Sequence, residues 1–306
     1  MSERKETFPE KPVHSAAGIG GPRPLALGGV LLLAAEEAGA ALETGKGDGA
    51  VHGLRKAFKR MRGLLRLVRG ARAGEAGRLR DALAEGARAL SASRDQAAQR
   101  EALDELVTKA GLAPEWRDQA LAALAKPDDE SEAAPGLDAQ RAPLDALVEA
   151  CRAAGALLGG VVLDKALLAA IIADYARARR RGRDIGAGDA EELHELRKAV
   201  IAHRFHMELL TPLWPVMGRA REGELHRLRE KLGKHHDLAV LLVRLAELPR
   251  EVADSDWHAP VAAAARARQE RLARSALRLH ARLFAEKPEE FRRRYAAYMK
   301  AMSDGE

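Results

Sequence analysis

Positively charged residues are concentrated in one short stretch of this chain, and their side chains suit the binding of an anion. Residues 51–70 contain seven Lys or Arg and no Asp or Glu. Arg offers paired hydrogen-bond donors to phosphate or carboxylate oxygens, and Lys offers a compact positive charge. Like charges three or four residues apart on a helix repel by a few tenths of a kcal/mol per pair, and solvated faces usually interleave the two signs. The composition therefore favours an anion-binding surface.

The same stretch is amphipathic when it is wound as a helix at about 100° per residue. One half of the circumference carries His52, Arg55, Lys56, Lys59, Arg60, Arg62, Arg66 and Arg69. The other half carries Leu54, Ala57, Phe58, Met61, Leu64, Leu65 and Val68. At about 1.5 Å per residue, the cationic side would extend on the order of 25 Å. That length suits a long anion better than a small one.

A second stretch repeats this pattern 142 residues later in the chain. It contains His194, Arg197, Lys198 and Arg204. Two aspartates downstream of the stretches, Asp95 and Asp237, keep the same spacing. Because two separate signals share one register, they predict an internal duplication in which each unit folds against its twin.

The periodicity of the chain is helical almost throughout, and β-branched runs are too few and too short for a sheet. We therefore predict an all-α fold. The predicted helices span residues 25–43, 49–69, 75–91, 94–110, 163–181, 190–210, 221–232, 236–248, 257–285 and 288–302. Residues 1–24 are rich in Pro and Gly and are predicted to be a disordered tail. Residues 126–143 combine Pro with acidic residues and are predicted to be a linker.

Composition places the chain among globular proteins, since 47% of its 306 residues are hydrophobic. The net charge of +6 favours anionic partners such as nucleic acid, anionic lipid or polyphosphate. A single cysteine, Cys151, excludes an internal disulfide and is predicted to be a buried helix residue. The apolar run 25–35 is too short to cross a bilayer. We therefore expect a cytoplasmic protein with no membrane partner.

Three motifs together resemble the CHAD domain, an α-helical domain named for its histidines. They are His-x-x-Arg-Lys-x-x-Lys-Arg-x-Arg at 52–62, His-x-x-Arg-Lys at 194–198 followed by Arg204-Phe205, and Leu-Gly-Lys-His-His-Asp at 232–237. The resemblance implies two pseudo-symmetric antiparallel helical bundles, here 25–125 and 144–302, around a basic groove or pore. It also implies non-catalytic binding of inorganic polyphosphate and association with polyphosphate granules.

The resemblance assigns ligand contacts to the two basic helices, position by position. The implied polyphosphate-binding residues are His52, Arg55, Lys56, Lys59, Arg60, Arg62, Arg66, His194, Arg197, Lys198 and Arg204. We expect Asp95 and Asp237 to orient neighbouring Arg or His side chains without touching the ligand. The second copy departs from the family pattern at Ile201 and Ala202, where two basic residues are usual. The two halves are therefore expected to contribute unequally.

The ten histidines of the chain raise the alternative of a metal site, because imidazole is a common metal ligand. No closely spaced set of Cys or carboxylates accompanies them, so neither a metal nor another cofactor is predicted. Helical winding places His203 on an apolar face. We predict that it is a core residue.

Two further functions would use the same cations. Single-stranded nucleic acid usually stacks on aromatic side chains, but the basic helices contain only Phe58 and Phe205, and Phe58 is predicted to face the core. Phosphoryl transfer relies on carboxylate-held metal ions or a phosphate-binding loop, and Gly45-Lys46 lacks the earlier glycine of such a loop. Nucleic-acid binding is therefore the first alternative, and hydrolysis of a phosphate chain is the second. The leading hypothesis is a protein that is not an enzyme.

Overall fold

The computed structural model describes residues 26–44, 47–90, 92–125, 137 and 140–304, and of residues 44, 47–48 and 92–96 it describes the backbone alone. This part of the chain is helical and contains no strand, which confirms the all-α prediction. The helices are α1 (Leu27–Thr44), α2 (Gly47–Leu65), α3 (Ala73–Ala89), α4 (Ala92–Ala110), α5 (Pro114–Leu124), α6 (Arg141–Leu157), α7 (Lys165–Arg181), α8 (Ala190–Leu210), α9 (Pro215–Ala246), α10 (Arg250–Ala253), α11 (His258–Leu283) and α12 (Pro288–Ser303). None of them combines the length and apolar character that a membrane span requires.

Two hydrophobic cores organise these helices. The first core lies among α1, α2, α3, α6, α7, α8, α12, the first half of α9 and the second half of α11, and its largest fully buried side chains are Tyr175, Phe58 and Phe291. The second core lies among α4, α5, α11 and the second half of α9. Helix α9 contributes Leu225 to the first core and Leu241 to the second, and α11 contributes Ala276 to the first and Val261 to the second, so two helices belong to both.

Helix α6 packs on α1 and α3, although the sequence placed residues 144–302 in the second bundle. The contact with α1 is close because glycines lie at the crossing. A Cβ atom at Gly28 would lie 2.5 Å from the backbone nitrogen of Gly159 and would overlap the carbonyl oxygen of Gly155. Cys151 is fully buried in α6, as predicted.

Three helices, α5, α6 and α10, lie outside the predicted helix ranges, although Cys151 of α6 was expected on a helix. Helix α6 begins at Arg141, inside the predicted linker, and contains Pro143 in its first turn. Proline is tolerated there because the first N–H groups of a helix have no intrahelical acceptor. The rest of the linker lies largely outside the described residues, and so does the predicted N-terminal tail.

The prediction of two helices at 221–232 and 236–248 is wrong, because α9 runs unbroken from Pro215 to Ala246. Gly233 lies inside it and is buried. A Cβ atom there would lie 3.7 Å from Nε and Nη2 of Arg197, so α9 passes close to the Arg197 guanidinium. Tertiary packing thus outweighs the weak helix propensity of a single glycine.

Helix α2 ends at Leu65, four residues earlier than predicted. The last turn tightens, because the Leu67 and Val68 N–H groups bond the carbonyls three residues before them. Gly70 then takes a φ of 69°, which favours glycine. Arg66 therefore follows the helix instead of extending its cationic face.

The order of helices is similar in the two halves, since α1, α2 and α3 are matched in sequence by α7, α8 and α9. The predicted N-cap of the second basic helix is confirmed, because the Asp189 carboxylate accepts a hydrogen bond from the Glu192 N–H at 3.0 Å. The side chain of Asp48, its counterpart, lies outside the described residues. The duplication itself stays a prediction, because helix order does not establish that the halves superpose.

Candidate anion-binding groove

The two basic helices, α2 and α8, pack against each other at a glycine. A Cβ atom at Gly63 would lie 3.1 Å from Cδ2 of Phe205, so a larger residue would force the helices apart. In the same contact, His206 Nε2 lies 2.8 Å from the Gly63 carbonyl oxygen. The apolar half of α2, including Phe58, is buried as predicted. The close approach at Gly63 leaves the cationic sides of both helices around one opening.

A groove with two cavities follows this crossing. The first cavity, of about 240 Å³, is lined by the start of α2, the middle and end of α8, and α9, through His52, Lys56, Lys59, Arg197, Ile201, Arg204, Phe205, His226 and Arg229. The second cavity, of about 280 Å³, is lined by the end of α2, the start and middle of α8, and α3, through Lys59, Arg62, Gly63, Arg66, Arg80, His194, Arg197, Lys198, Ile201 and Ala202. The cavities share Lys59, Arg197 and Ile201, and they adjoin there.

The groove presents charges of one sign. Among the residues that the structure describes, no Asp or Glu lines either cavity. A larger cavity of about 530 Å³ elsewhere is different, because acidic residues share its lining with arginines. There Arg181 Nη1 lies 3.1 Å from Glu192 Oε2. The charges of that cavity balance each other, whereas the described lining of the groove carries no acidic residue to balance its cations.

A family model covers the region that builds this groove. The model of the CHAD domain matches residues 31–246, more than half of the chain. The chain belongs to the CHAD domain family. CHAD domains are associated with polyphosphate binding. No curated protein and no solved structure matches the chain.

The groove of this CHAD domain gathers most of the residues that the sequence implied. They are His52, Lys56, Lys59, Arg62, Arg66, His194, Arg197, Lys198 and Arg204. Arg55 and Arg60 do not line either cavity. Arg55 donates from Nη1 to the Ala87 carbonyl oxygen on α3, at 2.6 Å. Which of these side chains contact a ligand stays a prediction.

Arg60 lies between two carboxylates beside the groove. Its Nη1 is 2.8 Å from Glu37 Oε1, and its Nε is 2.9 Å from Glu208 Oε2. Burial alone would lower the pKa of Arg60, but Glu208 and Glu37 outweigh burial and raise that pKa. Burial also raises the pKa of Glu208, despite the nearby guanidinium. Arg60 thus joins α1, α2 and α8, and its charge is balanced inside the protein.

Arg66 reaches the second cavity from a fixed position. Its Nε lies 3.1 Å from Oδ2 of Asp174 on α7, and its Nη2 lies 3.4 Å from Oδ1. The Asp174 carboxylate is only 3% exposed and also lies 2.9 Å from Arg177 Nη1. One buried carboxylate therefore holds Arg66 while leaving it at the edge of the groove.

Two other groove arginines, Arg62 and Arg204, are partly desolvated and have like charges nearby. Burial lowers the pKa of Arg62, and Arg80 and Arg88 lower it further. Burial also lowers the pKa of Arg204, although Glu208 and Glu222 oppose the shift, and Arg229 and Arg60 add to it. Both guanidinium groups stay charged, because arginine is not deprotonated in proteins. An anion in the groove would relieve this repulsion.

The histidines divide between the groove and the core. His194 lines the second cavity, and its ring centroid lies 4.2 Å from that of His236 on α9. His203 is fully buried beside Tyr175 in the first core, which confirms its predicted position. In the described part of the chain, no group of three or more His, Cys, Asp or Glu could hold a metal ion.

Three groove residues were missed by the sequence analysis. Arg80 lies on α3, and His226 and Arg229 lie on α9. His226 Nε2 is 3.2 Å from Glu230 Oε1 on the same helix. No local pattern distinguishes these three residues from other polar residues of their helices, because their approach to the groove depends on tertiary packing.

The two aspartates expected to orient neighbouring side chains are only partly described. The side chain of Asp95 lies outside the described residues, whereas Asp237 is half-buried on α9. Their expected role stays a prediction. The neighbouring Lys234 has a structural contact, because its Nζ lies 2.8 Å from Oε2 of Glu105 on α4.

Proposed function

We propose that this CHAD domain binds inorganic polyphosphate in the groove between α2 and α8 and does not alter it chemically. One observation carries the proposal. Two adjoining cavities are lined by Lys, Arg and His from both basic helices, and no Asp or Glu among the described residues lines them. Successive phosphates of a chain offer the repeated negative charges that such a lining complements.

The groove has the charge and the length that suit a polyphosphate chain. From His52 to Arg66, α2 and the residue that follows it cover on the order of 20 Å at about 1.5 Å per residue. Arg62 and Arg204 are half-buried, so their charge-assisted hydrogen bonds to phosphate oxygens form in a partly desolvated setting. A single phosphate would engage few of these cations, whereas a chain engages many.

Nucleic acid is less well supported as the ligand. Among the described lining residues, Phe205 is the one Phe, Tyr or Trp, and it is 3% exposed and lies under Arg204, with its ring centroid 4.7 Å from the Arg204 Cζ. Base stacking needs an accessible ring face. We therefore expect polyphosphate to displace single-stranded DNA or RNA from the groove in a direct competition.

A binding role without catalysis fits the residue types in the groove. Phosphoryl transfer usually uses metal ions held by carboxylates, and the described lining offers cations and imidazoles instead. In a cell that stores polyphosphate, such a protein would associate with polyphosphate granules. Metal-dependent release of phosphate from a bound chain would contradict the non-catalytic part of the proposal.

The test is a double charge reversal, Lys56→Glu with Arg62→Glu, which places one change in each cavity. We expect at least a tenfold loss of affinity for long-chain polyphosphate, measured by fluorescence anisotropy or calorimetry. The control is Arg271→Glu with Arg278→Glu, which makes the same change in net charge at two exposed sites on α11. Circular dichroism and the thermal midpoint verify that both proteins fold.

Equal affinity in the groove variant and the wild type would refute the proposed site. An equal loss in the α11 control would show that only net charge matters. Both outcomes would contradict binding in the groove.

A further inference from the structure

The two cavities of the groove are built from matching positions of the two basic helices. His52, Lys56 and Lys59 line the first cavity, and the residues 142 positions later line the second. Those later residues are His194, Lys198 and Ile201.

The same match holds when the shift of 142 residues is applied in the opposite direction. Ile201, Arg204 and Phe205 line the first cavity, and the residues 142 positions earlier line the second. Those earlier residues are Lys59, Arg62 and Gly63. Six positions of one lining thus match six of the other, and a single shift of the sequence number relates them.

The relation is centred on the middle of the groove. Lys59 and Ile201 lie at matching positions, 142 residues apart, and each of them lines both cavities. The start of α2 meets the end of α8 in the first cavity, and the end of α2 meets the start of α8 in the second. Matching positions of the two helices thus face each other in the groove, and each cavity forms one half-site.

An additional arginine from a neighbouring helix completes each half-site. Arg204 and Arg62 occupy matching positions in the first and second cavities. Arg229 of α9 joins Arg204 in the first cavity, and Arg80 of α3 joins Arg62 in the second. Arg229 and Arg80 are not at matching positions in the sequence, so the two halves reach the same chemistry with different residues.

We infer that the groove consists of two half-sites, each completed by an arginine pair, and that one unbranched polyphosphate chain occupies both while a short polyphosphate occupies either one alone. This inference rests on the proposed function and goes further, because it assigns Arg80 and Arg229 to the binding site. The two ends of a linear polyphosphate are chemically equivalent, so the chain presents equivalent oxygens to two half-sites that face in opposite directions.

Joining the half-sites raises affinity without any new contact. When one half-site has bound part of a chain, the remainder is held near the other at a high effective concentration. A long chain should therefore bind tighter than tripolyphosphate by a factor on the order of 100 or more.

The test is isothermal titration calorimetry of the full chain with tripolyphosphate and with a long-chain polyphosphate. We expect each wild-type protein to bind two tripolyphosphate ions. On the long chain, we expect one protein to bind for each stretch of phosphates that is as long as the groove. Arg80→Glu and Arg229→Glu should each reduce tripolyphosphate to one ion per protein. The two changes together should remove its measurable binding, while Arg278→Glu on α11 should leave two ions bound.

The outcomes separate this inference from the proposed function. A wild type that binds long chains but takes up a single tripolyphosphate would overturn the half-sites and leave the proposed function standing. Complete loss of tripolyphosphate from either single variant, with its helix content intact, would do the same. If the wild type bound neither ligand, the proposed function would fail together with the inference.

Discussion

The imidazole rings of His194 and His236 lie 4.2 Å apart between centroids, where α8 meets α9 beside the groove. Burial lowers the pKa of His236 to about 4, and the nearby His194, Arg197, His235 and Lys198 contribute to this shift. Burial, Lys198 and Arg197 also lower the pKa of His194. Both rings are therefore neutral in the folded protein at pH 7.

These lowered pKa values predict that the unbound protein loses stability in acid. Between pH 6.5 and about 4, the unfolded chain binds a proton at His236 that the folded chain does not bind. The free energy of unfolding therefore falls as the pH falls through this window. Allowing for partial exposure, His236 should account for about 1 kcal/mol between pH 7 and pH 5.

The measurement is urea denaturation at pH 7 and pH 5 for the wild type and His236→Asn. The variant should lose less stability than the wild type between the two pH values. If both proteins lost the same free energy, His236 would not be a source of the pH dependence.

Arg60 is predicted to matter for stability more than for binding. Replacing it with Ala leaves the largely buried Glu208 carboxylate without its partner, at a cost of about 1–3 kcal/mol. Affinity for polyphosphate should change less than twofold, because Arg60 lines neither cavity. The exposed Lys56→Ala is the matched comparison, and it should lower affinity severalfold with stability kept within about 0.5 kcal/mol. An Arg60→Ala protein that stays stable but loses binding would show that Arg60 contacts the ligand, as the sequence implied.

The crossing of α1 and α6 provides a test of packing that is independent of the groove. Gly28→Ala should destabilise the protein by about 1–3 kcal/mol, because its Cβ atom would meet the backbone of α6. Gly29→Ala is the control, since a Cβ atom there would have no neighbour within 4 Å. That change should be neutral or should stabilise α1 by about 0.5–1 kcal/mol. Equal effects of both substitutions on the thermal midpoint would contradict the observed packing.

The salt dependence of the affinity for polyphosphate should report how many cations contact phosphates. Counterion release makes the logarithm of affinity fall linearly with the logarithm of salt concentration, by about one unit of slope per phosphate contact. Arg80→Gln and Arg229→Gln should therefore each reduce the slope for long-chain polyphosphate by about one unit. Arg278→Gln should leave it unchanged. Slopes that match the wild type in all three variants would exclude Arg80 and Arg229 from the ligand.

The fold class and the cationic side of α2 could be predicted because both depend on local periodicity, whereas the groove between the two basic helices was implied by the resemblance to the CHAD domain. The cationic and apolar sides of α2 follow from its residue spacing, and the burial of Phe58 and of His203 on α8 follows in the same way. The end of α2 was placed too late, since the tight turn before Gly70 depends on local backbone geometry.

Charge balance could not be read from the sequence. Arg60 and Lys56 are both basic residues of the same helix, but Arg60 is paired with Glu37 and Glu208, which belong to other helices. Likewise, Arg229 becomes a groove residue only because α9 passes beside α8. Long-range ion pairs and helix crossings of this kind are properties of tertiary packing, which the local pattern of one sequence does not reveal.

The continuity of α9 limits how the protein can respond to a ligand. This helix has 32 residues and contributes side chains to both cores. At about 1.5 Å per residue it is roughly 48 Å long, and a hinge within it would break backbone hydrogen bonds. The domain should therefore accept its ligand without a clamshell motion, so that conformational adjustment on binding belongs to the flexible chain of phosphates.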